Sequence, residues 1–416
     1  MGEGIEIRTL RVGEEDALRA CMNIAFHDAT TPEAMGRWLG MIGHERTAIA
    51  FAGERMVGTS GAFSRPLSLP GGGSLGCAGI TIITVLPTHR RRGILRRMMA
   101  RLLEQAVEAG EPLAGLWAAE GGIYGRFGFG VASLAATVEM PGGSGTLASG
   151  PSDTYAFELV PPADAPPLLE PVWDALRAGR AGVPARDRTW WTDDVLYDPE
   201  DGREGGREQR VVVARSPGDS EAGGAVAGYA LYRAHPAEPR PSLEVIELHG
   251  VTSDAEAALW EYVRSVDLVS TIVAKDRPLD DPLLLRPADA REPRVTAVAD
   301  ALWLRLVDVS VALERRGWVS GVPLDLTLAV TDDQLPANSG PWRLEVSADG
   351  TARCSPTDAH PDLTLPADAL GAAYLGGTTP LHLLDAARLT EHTPGSAEHL
   401  TAALRTPRLP YTPDHF

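Results

Sequence analysis

Short apolar runs alternate with amphipathic stretches in the first third of the chain. Residues 79–85 read Gly-Ile-Thr-Ile-Ile-Thr-Val, an apolar and β-branched run that is typical of a buried strand. Beyond residue 93, apolar side chains recur at the spacing of one helix face, at Ile94, Leu95, Met98, Met99, Leu102 and Leu103. Residues 113–119 form a second short apolar run. This order predicts a β-α-β unit over residues 79–119, in which the helical crossover makes the two strands parallel.

A weaker copy of the same order is present later in the chain. Residues 243–251 alternate like a strand, Ser253 can cap a helix with an apolar face, and residues 268–274 form another strand-like run. Residues 251–255 stand where the first copy has a basic segment with a glycine, and they contain neither arginine nor glycine. We therefore expect a duplicated domain whose second copy has lost a binding site.

The composition changes again near Val295. A helix-like pattern over residues 301–315 is followed by three strand-like runs and then two helical patterns. These lie at residues 324–330, 342–346, 351–354, 367–375 and 381–387. The last residues, 406–416, carry three prolines and cannot form a helix.

The composition also restricts the function. At 416 residues, the chain is long enough for two or three domains. It carries 38 Lys plus Arg against 56 Asp plus Glu, a net charge of −18, which disfavours nucleic acid as a partner and favours a polycationic small molecule. The sequence has no run of 18 apolar residues, no signal-peptide pattern and only three widely spaced cysteines. We therefore expect a cytoplasmic protein without a membrane span.

The clearest chemical signal is a basic island. Between His89 and Arg101 lie six arginines and no acidic residue, at positions 90, 91, 92, 96, 97 and 101. Gly93 stands where the predicted strand gives way to the helix, so backbone N–H groups and arginine side chains can surround an anion there. Pyrophosphate is the anion that this arrangement fits best. A solvated basic face of a helix is the alternative.

The same segment resembles the coenzyme A loop of the GNAT N-acetyltransferases, whose pattern is Arg/Gln-x-x-Gly-x-Gly/Ala. Arg90 and Gly93 match this pattern in residue type and spacing. Leu95 stands where the pattern has Gly or Ala, and this departure predicts a more crowded loop.

Residues 120–130 resemble the GNAT element in which a tyrosine precedes Phe-Gly-Phe and lies beside the thioester sulfur. Tyr124 is at that position, and a packed core tyrosine is the alternative.

Together with the degenerate second unit and the short C-terminal third, these motifs make the whole chain similar to the enhanced-intracellular-survival (Eis) family of bacterial acetyltransferases. The resemblance implies an α+β fold with a catalytic GNAT domain over residues 1–150 and a degenerate GNAT-like domain over residues 151–294. A sterol-carrier-protein-like domain would span residues 295–416, and its tail would reach the active site. The resemblance also implies acetyl-CoA as co-substrate, no metal, and a homohexamer. Family members acetylate amines of aminoglycosides, often at several positions, and some acetylate lysine side chains.

The resemblance assigns the residues that would hold the co-substrate. Ile83, Thr84 and Val85 would pair with the pantetheine arm in the manner of a strand. Ala119 and Glu120 would flank it on the neighbouring strand. The residues around the pyrophosphate would be Arg91, Arg92, Gly93, Ile94, Leu95 and Arg96.

The resemblance likewise assigns the residues of the reaction. Tyr124 is the expected general acid, because amine attack on the thioester expels a thiolate that a nearby O–H can protonate. The α-carboxylate of Phe416 is the expected general base. Phe26, Asp28 and Trp38 would bind the substrate, and Asp28 beside an aromatic ring could bind an ammonium group.

The tail over residues 406–416 has features that a solvated chain end lacks. Its three prolines make it stiff and extended, which lowers the entropy lost on docking. Tyr411 and Phe416 provide apolar anchors. Asp414 is the rival candidate for the base, and a purely structural role for Phe416 is the other alternative.

Other patterns predict structure rather than chemistry. Gly71, Gly73 and Gly76 match the letters of a dinucleotide fingerprint, but they lie between two strand-like runs and predict a hairpin loop. The histidines near the C-terminus lack metal-ligand spacing and are expected to be solvated or capping residues.

Two further functions stay open at this point. One is a protein or peptide lysine N-acetyltransferase, and the other is a non-catalytic scaffold whose C-terminal domain binds apolar ligands.

Overall fold

The computed structural model describes residues 4–143, 155–217, 224–236 and 240–416. Backbone contacts divide the chain into two compact units. The first unit holds Met1–Ser133, Ala301–Pro407 and Asp414–Phe416, and the second holds Leu134–Asp300 and Arg408–Pro413.

The helices and strands follow in chain order. Up to residue 133 they are β1 (Ile5–Arg8), α1 (Glu15–Phe26), α2 (Pro32–Ile42), β2 (Ile49–Ala52), β3 (Arg55–Ser64), β4 (Leu67–Ser68), β5 (Ser74–Leu75), β6 (Cys77–Val85), α3 (Ile94–Glu108), β7 (Leu113–Trp117), α4 (Gly121–Tyr124) and β8 (Gly130–Val131). In the described part of residues 134–300 they are β9 (Leu134–Pro141), β10 (Ala156–Val160), α5 (Pro166–Gly179), α6 (Arg188–Trp190), β11 (Arg210–Arg215), β12 (Val226–His235), β13 (Ser242–Gly250), α7 (Ser253–Arg264), β14 (Thr271–Arg277) and β15 (Arg294–Asp300). From residue 301 onward they are β16 (Leu302–Leu306), α8 (Val309–Arg315), β17 (Leu324–Thr331), β18 (Gly340–Val346), β19 (Ala352–Pro356), β20 (Leu363–Pro366), α9 (Ala367–Tyr374), α10 (Pro380–Asp385), β21 (Thr390–Glu391) and α11 (Ser396–Leu404).

Two sheets organise the first unit. A seven-stranded sheet has the order β1-β2-β3-β6-β7-β16-β8, and a five-stranded sheet has the order β19-β18-β17-β20-β21. The predicted β-α-β unit is confirmed, because β6 and β7 are parallel and α3 connects them. In the first two turns of α3, the side chains of Ile94, Met98 and Met99 are buried in the core. The second strand ends at Trp117 rather than at residue 119.

The second unit is built on one seven-stranded sheet in the order β10-β11-β12-β13-β14-β9-β15. The predicted second copy is confirmed, since β13 and β14 are parallel and α7 connects them. The predicted cap is wrong by one residue. The side chain of Thr252, and not that of Ser253, accepts the N–H of Ala255 at 3.2 Å.

Strand pairing divides the chain at Ser133 and Asp300. β9 lies within the predicted domain 1–150, and all of β15 except Arg294 lies within the predicted domain 295–416, yet both pair in the sheet of the second unit. The predicted boundary near residue 150 lies outside the described residues. Contiguous sequence cannot reveal this exchange of strands, because β9 finds its partners far along the chain.

The helix-like pattern over residues 301–315 is wrong in its first half. Leu302–Leu306 is strand β16, which pairs with β7 on one side and β8 on the other, and the helix begins only at Val309. Leu302, Leu304 and Leu306 are buried at alternating positions, which is the period of a strand. The predicted hairpin loop over residues 71–76 is confirmed by the pairing of β4 with β5.

Helix α9 packs closely on β8 and β16 because glycines let the backbones meet. A Cβ atom at Gly130 would overlap the carbonyl oxygen of Asp368, and a Cβ atom at Gly371 would overlap that of Leu304. The glycine-rich segment after Tyr124 is therefore pressed directly against the C-terminal part of the first unit.

We predict that Gly130→Ala lowers the free energy of unfolding by about 1–3 kcal/mol or more, because the backbones must separate to admit the methyl group. Gly40→Ala is the matched control. Gly40 lies in α2 with no atom within 4 Å of an added Cβ, so its substitution should raise stability by about 0.5–1 kcal/mol. Urea denaturation measures both. Equal stability of the two variants would contradict the tight contact at Gly130.

Candidate active site

Strands β6 and β7 run side by side for only part of their length. The parallel pairing joins residues 77–80 to residues 113–116, after which β6 continues to Val85. Ile82 has a φ of 48°, in the left-handed region that β-branched residues rarely adopt. The register between β3 and β6 shifts at the same place, which identifies a β-bulge. We call the gap alongside residues 81–85 of β6 the splay.

The backbone of Val85 faces the splay. Leu86 donates its N–H to the carbonyl oxygen of Val57 at 2.9 Å, and successive residues of an antiparallel strand direct their backbone groups to opposite sides. Val85, and Ile83 before it, therefore direct their backbone groups away from β3. The side chain of Thr84 is buried, and its Oγ1 lies 2.7 Å from the hydroxyl of a threonine in β3.

The arginine loop, residues 89–93, follows β6 and leads into α3. Gly93 precedes the helix with a φ of 74°, and no atom lies within 4 Å of a Cβ added there. No side chain caps α3, so the N–H groups of its first turn present the positive end of the helix dipole. Ile94 is buried and Leu95 is half-buried. The loop therefore offers an anion site with room near the glycine.

Five arginines around this helix end have no carboxylate partner among the described residues. Arg90, Arg92 and Arg97 donate to backbone carbonyl oxygens, at 3.4, 3.2 and 2.8 Å. Arg91 and Arg96 are exposed, and within the described parts of the chain they have neither a hydrogen bond nor an ion pair. Mutual repulsion of these charges is relieved when an anion binds between them.

Arg101 does not belong to this group. Its Nη1 lies 3.1 Å from Oε1 of Glu108 and 3.2 Å from Oε2 of Glu104. Of the six arginines counted in the basic island, Arg101 therefore adds no unbalanced charge, because two acids that follow it in α3 pair with it.

Tyr124 ends the short helix α4, which follows β7. Its side chain is buried, and its hydroxyl has no hydrogen-bond partner among the described residues. Burial raises the pKa of Tyr124, and the nearby carboxylate of Glu120 raises it further. Ala119 and Glu120 are exposed and lie just beyond the end of β7, not within the strand. Tyr124 is thus an unpaired phenol that stays protonated at neutral pH.

The end of the chain packs against the first unit through two side-chain contacts. Asp414 accepts a hydrogen bond from Nη2 of Arg65 at 2.5 Å, and both side chains of this ion pair are buried. The ring of His415 stacks on Trp117 with 3.7 Å between ring centroids and 17° between planes. Trp117 is the residue after the last β6–β7 pair. These contacts hold the chain end at the place where the two strands separate.

Phe416 lies on the backbone of β6. A Cβ atom added to Gly79 would approach Cδ2 of Phe416 to 3.0 Å. The strand partner of Gly79 is Phe63, and directly opposed residues of an antiparallel pair point to the same face of a sheet. Trp38 packs edge-on against Phe63 with 6.0 Å between ring centroids. Trp38 therefore lies on the face that holds the terminal residue.

Phe26 and Asp28 are not joined to this group. Both are exposed, and the Asp28 carboxylate accepts the N–H of Ala29 at 2.7 Å and the hydroxyl of Thr30 at 3.0 Å. Among the described residues, no hydrogen bond or ring contact connects Phe26 or Asp28 to Trp38. Of the three predicted substrate residues, the structure thus brings Trp38 near the chain end, and Phe26 and Asp28 lie apart from it.

Sequence reasoning missed the partners that hold the chain end. Arg65 and Asp414 are 349 positions apart, so no local pattern connects them. His415 is exposed, as expected, but the stacking of its ring on Trp117 was not predicted. Gly79 did carry a signal, since a glycine inside an apolar strand often marks a close approach of other atoms.

In the second unit, the corresponding strands also pair only at their first residues, but protein groups fill the space beyond. Arg277 donates from Nη1 to the carbonyl oxygen of Leu248 at 3.0 Å and forms a buried ion pair with Asp281 at 2.5 Å. Tyr411 is buried beside His249, with 5.9 Å between ring centroids. A guanidinium group and a phenol ring therefore stand at the ends of these strands.

Comparison with known proteins agrees with this geometry. Residues 6–132 and residues 182–306 match acetyltransferase (GNAT) domain families, and residues 309–413 match a sterol carrier protein domain family. An uncharacterized N-acetyltransferase of Streptomyces avermitilis is 37% identical over 393 residues, which is 93% of each chain. The N-acetyltransferase Eis of Mycobacterium tuberculosis is 32% identical over 380 residues, which is 88% of each chain. The chain belongs to the Eis family of GNAT N-acetyltransferases.

The crystal structure of Eis1 from Mycobacterium abscessus superimposes with a TM-score of 0.84 at 29% identity and covers 99% of this chain and 100% of its own. The predicted α+β fold, with two acetyltransferase domains and a sterol-carrier-like domain, is therefore confirmed, and so is the prediction of an N-acetyltransferase. Within the described residues, no helix is long and apolar enough to cross a membrane. The same residues contain no cluster of three His, Cys, Asp or Glu side chains that could bind a metal ion.

Proposed function

We propose that this Eis-family protein transfers the acetyl group of acetyl-CoA to amines of polycationic small molecules such as aminoglycosides, at more than one position. The observation that carries the proposal is the set of arginines without carboxylate partners at the end of β6, next to the splay and the uncapped start of α3. Five positive charges gathered at one helix end of a chain of net charge −18 favour an anionic ligand, and the pyrophosphate of coenzyme A has the complementary sign of charge.

The groups that would hold acetyl-CoA follow from their positions. The backbones of Ile83 and Val85 would pair with the amides of the pantetheine arm, with Thr84 fixing the strand between them. Ala119 and Glu120 would flank the arm from the end of β7. The pyrophosphate would be surrounded by Arg91, Arg92, Gly93, Ile94, Leu95 and Arg96.

Acid catalysis is proposed for Tyr124. Acetyl-CoA supplies an acetyl group bound as a thioester, and attack by a neutral amine on its carbonyl carbon forms the new C–N bond while the C–S bond breaks. The Tyr124 hydroxyl donates a proton to the departing sulfur. Its raised pKa keeps the proton in place up to alkaline pH, and the missing hydrogen-bond partner leaves the group available. Activity that depends on Tyr124 as acid is lost only when the pH rises through that raised pKa.

Base catalysis is proposed for the α-carboxylate of Phe416. A chain-terminal carboxylate is ionised at pH 7 and can accept a proton from the ammonium substrate directly or through a water molecule. Asp414 is the weaker candidate, because its own carboxylate is buried in the ion pair with Arg65. That ion pair and the stacking of His415 on Trp117 instead position the carboxylate.

The proposed substrate site is acidic and aromatic. Trp38 lies on the face that holds Phe416, and Asp28 is an exposed carboxylate that can attract an ammonium group. Phe26 is exposed as well, so ligand binding would have to bring it and Asp28 into contact with the substrate. By family resemblance, the proposed assembly is a homohexamer in the cytoplasm.

The test of the proposed function is an amine screen with aminoglycosides, polyamines and a lysine peptide, monitored by release of free thiol from acetyl-CoA. Thiol release with aminoglycosides and multiply acetylated products by mass spectrometry would support the proposal. Turnover of the lysine peptide alone would make the protein a peptide acetyltransferase. No turnover, together with no thermal stabilisation by saturating acetyl-CoA, would make it a scaffold.

We predict that Arg91→Ala and Arg92→Ala each weaken acetyl-CoA binding about 10-fold or more, since a charge-assisted hydrogen bond contributes about 1.5–3 kcal/mol. Added salt should weaken binding to the wild type more than to the variants. Arg101→Ala is the matched control, because Glu104 and Glu108 already pair with Arg101, and its affinity should stay unchanged. Calorimetry measures all three. Wild-type affinity in both loop variants would show that the pyrophosphate assignment is wrong.

We predict one acetyl-CoA per chain. Arg277, Asp281 and Tyr411 fill the ends of the second pair of strands, and residues 251–255 provide no arginine loop. Calorimetric titration of the wild type should give a stoichiometry near one, and the Arg91→Ala/Arg92→Ala variant should show no residual tight site. A stoichiometry near two would contradict a silent second unit.

We predict that amidation of the Phe416 carboxylate lowers turnover by about 10²- to 10⁴-fold, the usual contribution of a positioned general base. Acetyl-CoA binding should be unchanged, because the ring of Phe416 and the contacts of Asp414 are kept. The control is the same semisynthetic protein with a free carboxylate. Deletion of Phe416 moves the carboxylate to His415 and should abolish turnover as well. Full activity of the amidated protein would exclude the carboxylate as the base.

A further inference from the structure

An arginine with no exposed surface lies beneath the segment that carries Tyr124, defined as the Tyr124 loop, residues 121–130. Arg305 projects from β16, and its side chain is 0% exposed. One Nη donates to the carbonyl oxygen of Phe127, and the other donates to Oδ2 of Asp332. Phe127 is three residues beyond the catalytic candidate. The guanidinium group therefore fixes the backbone of this loop directly.

Hydrogen bonds from three further residues fix the carboxylate of Asp332. Its Oδ1 accepts the backbone N–H groups of Gln334 and Leu335, both at 3.0 Å, and its Oδ2 also accepts Nδ2 of Asn338 at 3.2 Å. Asp332 follows β17, so these bonds tie the arginine to the C-terminal sheet of the first unit. The orientation of Arg305 is thus set from outside the acetyltransferase sheet.

The Tyr124 loop is shaped to fit this arginine. Gly128 has a φ of 80°, and a Cβ atom there would lie 2.8 Å from Nη1 of Arg305. The guanidinium carbon lies 5.9 Å from the centre of the buried Phe129 ring. Phe129 in turn donates its N–H to the carbonyl oxygen of Tyr124 at 3.3 Å. A chain of direct contacts therefore leads from Arg305 to the backbone of Tyr124.

Stability alone does not account for a buried ion pair at this position. Removing two charges from water costs several kcal/mol per ion, and apolar side chains of similar size often stabilise a fold as well. Burial lowers the pKa of Arg305, and Asp332 only partly offsets this effect. What the pair provides, and apolar groups cannot, is a directional hydrogen bond to the Phe127 carbonyl oxygen.

We infer that Arg305 is a positioning residue for Tyr124, and that Asp332 holds it in place, so that the sterol-carrier-like part of the chain sets the geometry of the proposed acid. The inference rests on the proposed role of Tyr124. Its consequence is kinetic: disturbing Arg305 lowers kcat through Tyr124, while the acetyl-CoA site at the arginine loop is unaffected.

The test compares Arg305→Lys with Arg316→Lys in the full-length protein. Arg316 is an equally buried arginine of the first unit, and it donates to the carbonyl oxygens of Tyr374, Gly317 and Leu404. Both substitutions remove a buried fork of hydrogen bonds, so both should lower the melting temperature. Only Arg305→Lys should lower kcat, by about 10- to 100-fold, because a misplacement of about 1 Å at the reacting atoms has an effect of this size. The KM for acetyl-CoA should stay within about twofold.

A double-mutant comparison separates positioning from general damage. If Arg305 acts through Tyr124, then Tyr124→Phe and Tyr124→Phe/Arg305→Lys should have the same kcat, because the group to be positioned is already absent. Asp332→Asn keeps the size of the side chain but removes the charge that binds Arg305. It is the second variant if Arg305→Lys fails to fold, and it should also lower kcat.

The two possible failures are distinguishable. A loss of kcat in Tyr124→Phe, with wild-type kcat in Arg305→Lys and Asp332→Asn, would overturn the positioning role and leave Tyr124 as the acid. Losses that multiply in the double mutant, or an equal loss in Arg316→Lys, would also overturn it. Wild-type kcat in Tyr124→Phe would instead overturn the acid itself, and the positioning role with it.

Discussion

The early end of the β6–β7 pairing is the constraint on which the candidate site depends. Backbone N–H and C=O groups need partners, and those of Ile83 and Val85 in β6 are directed into the splay rather than toward β3. The bulge at Ile82 holds a β-branched residue in the left-handed region, a conformation that costs about 1–3 kcal/mol and persists where the surroundings enforce it. The arginine loop continues from the free end of β6, and the chain end packs where pairing stops. The proposed cofactor-binding groups and the proposed base therefore share one location because two strands separate there.

Local patterns in the sequence were sufficient for much of the site. The apolar run at residues 79–85, the stripe from Ile94 and the arginines around Gly93 are contiguous, so their periods and spacing predicted a parallel unit with an anion site. The fold class and the enzyme class came from the resemblance of these motifs to a family. The proposed role of Tyr124 came from the same resemblance, through the Phe-Gly-Phe element that follows it.

Long-range partners account for what the sequence could not predict. Residues 302–306 had an apolar pattern that fits a helix or a strand, and only the open edge of β7 decides between them. The pairing of Arg65 with Asp414 and the contact of Arg305 with the Phe127 carbonyl depend on the folded chain. Arg101 differs from the neighbouring arginines in a way that residue type alone does not show. Two glutamates of α3 form ion pairs with it, so its charge is already balanced.

The discontinuous sheet of the first unit has a consequence for synthesis on the ribosome. β8 pairs only with β16 in the described sheet, and residues 132–301 must be translated between them. At about 5–20 residues per second, this delay is about 10–30 seconds. During that interval the second unit can fold as a whole, apart from the tail residues that join it last, while the nascent acetyltransferase sheet waits with β7 as an exposed edge. Unpaired strand edges are prone to aggregation, so the order of synthesis leaves this edge open to contact with other chains until β16 has been made.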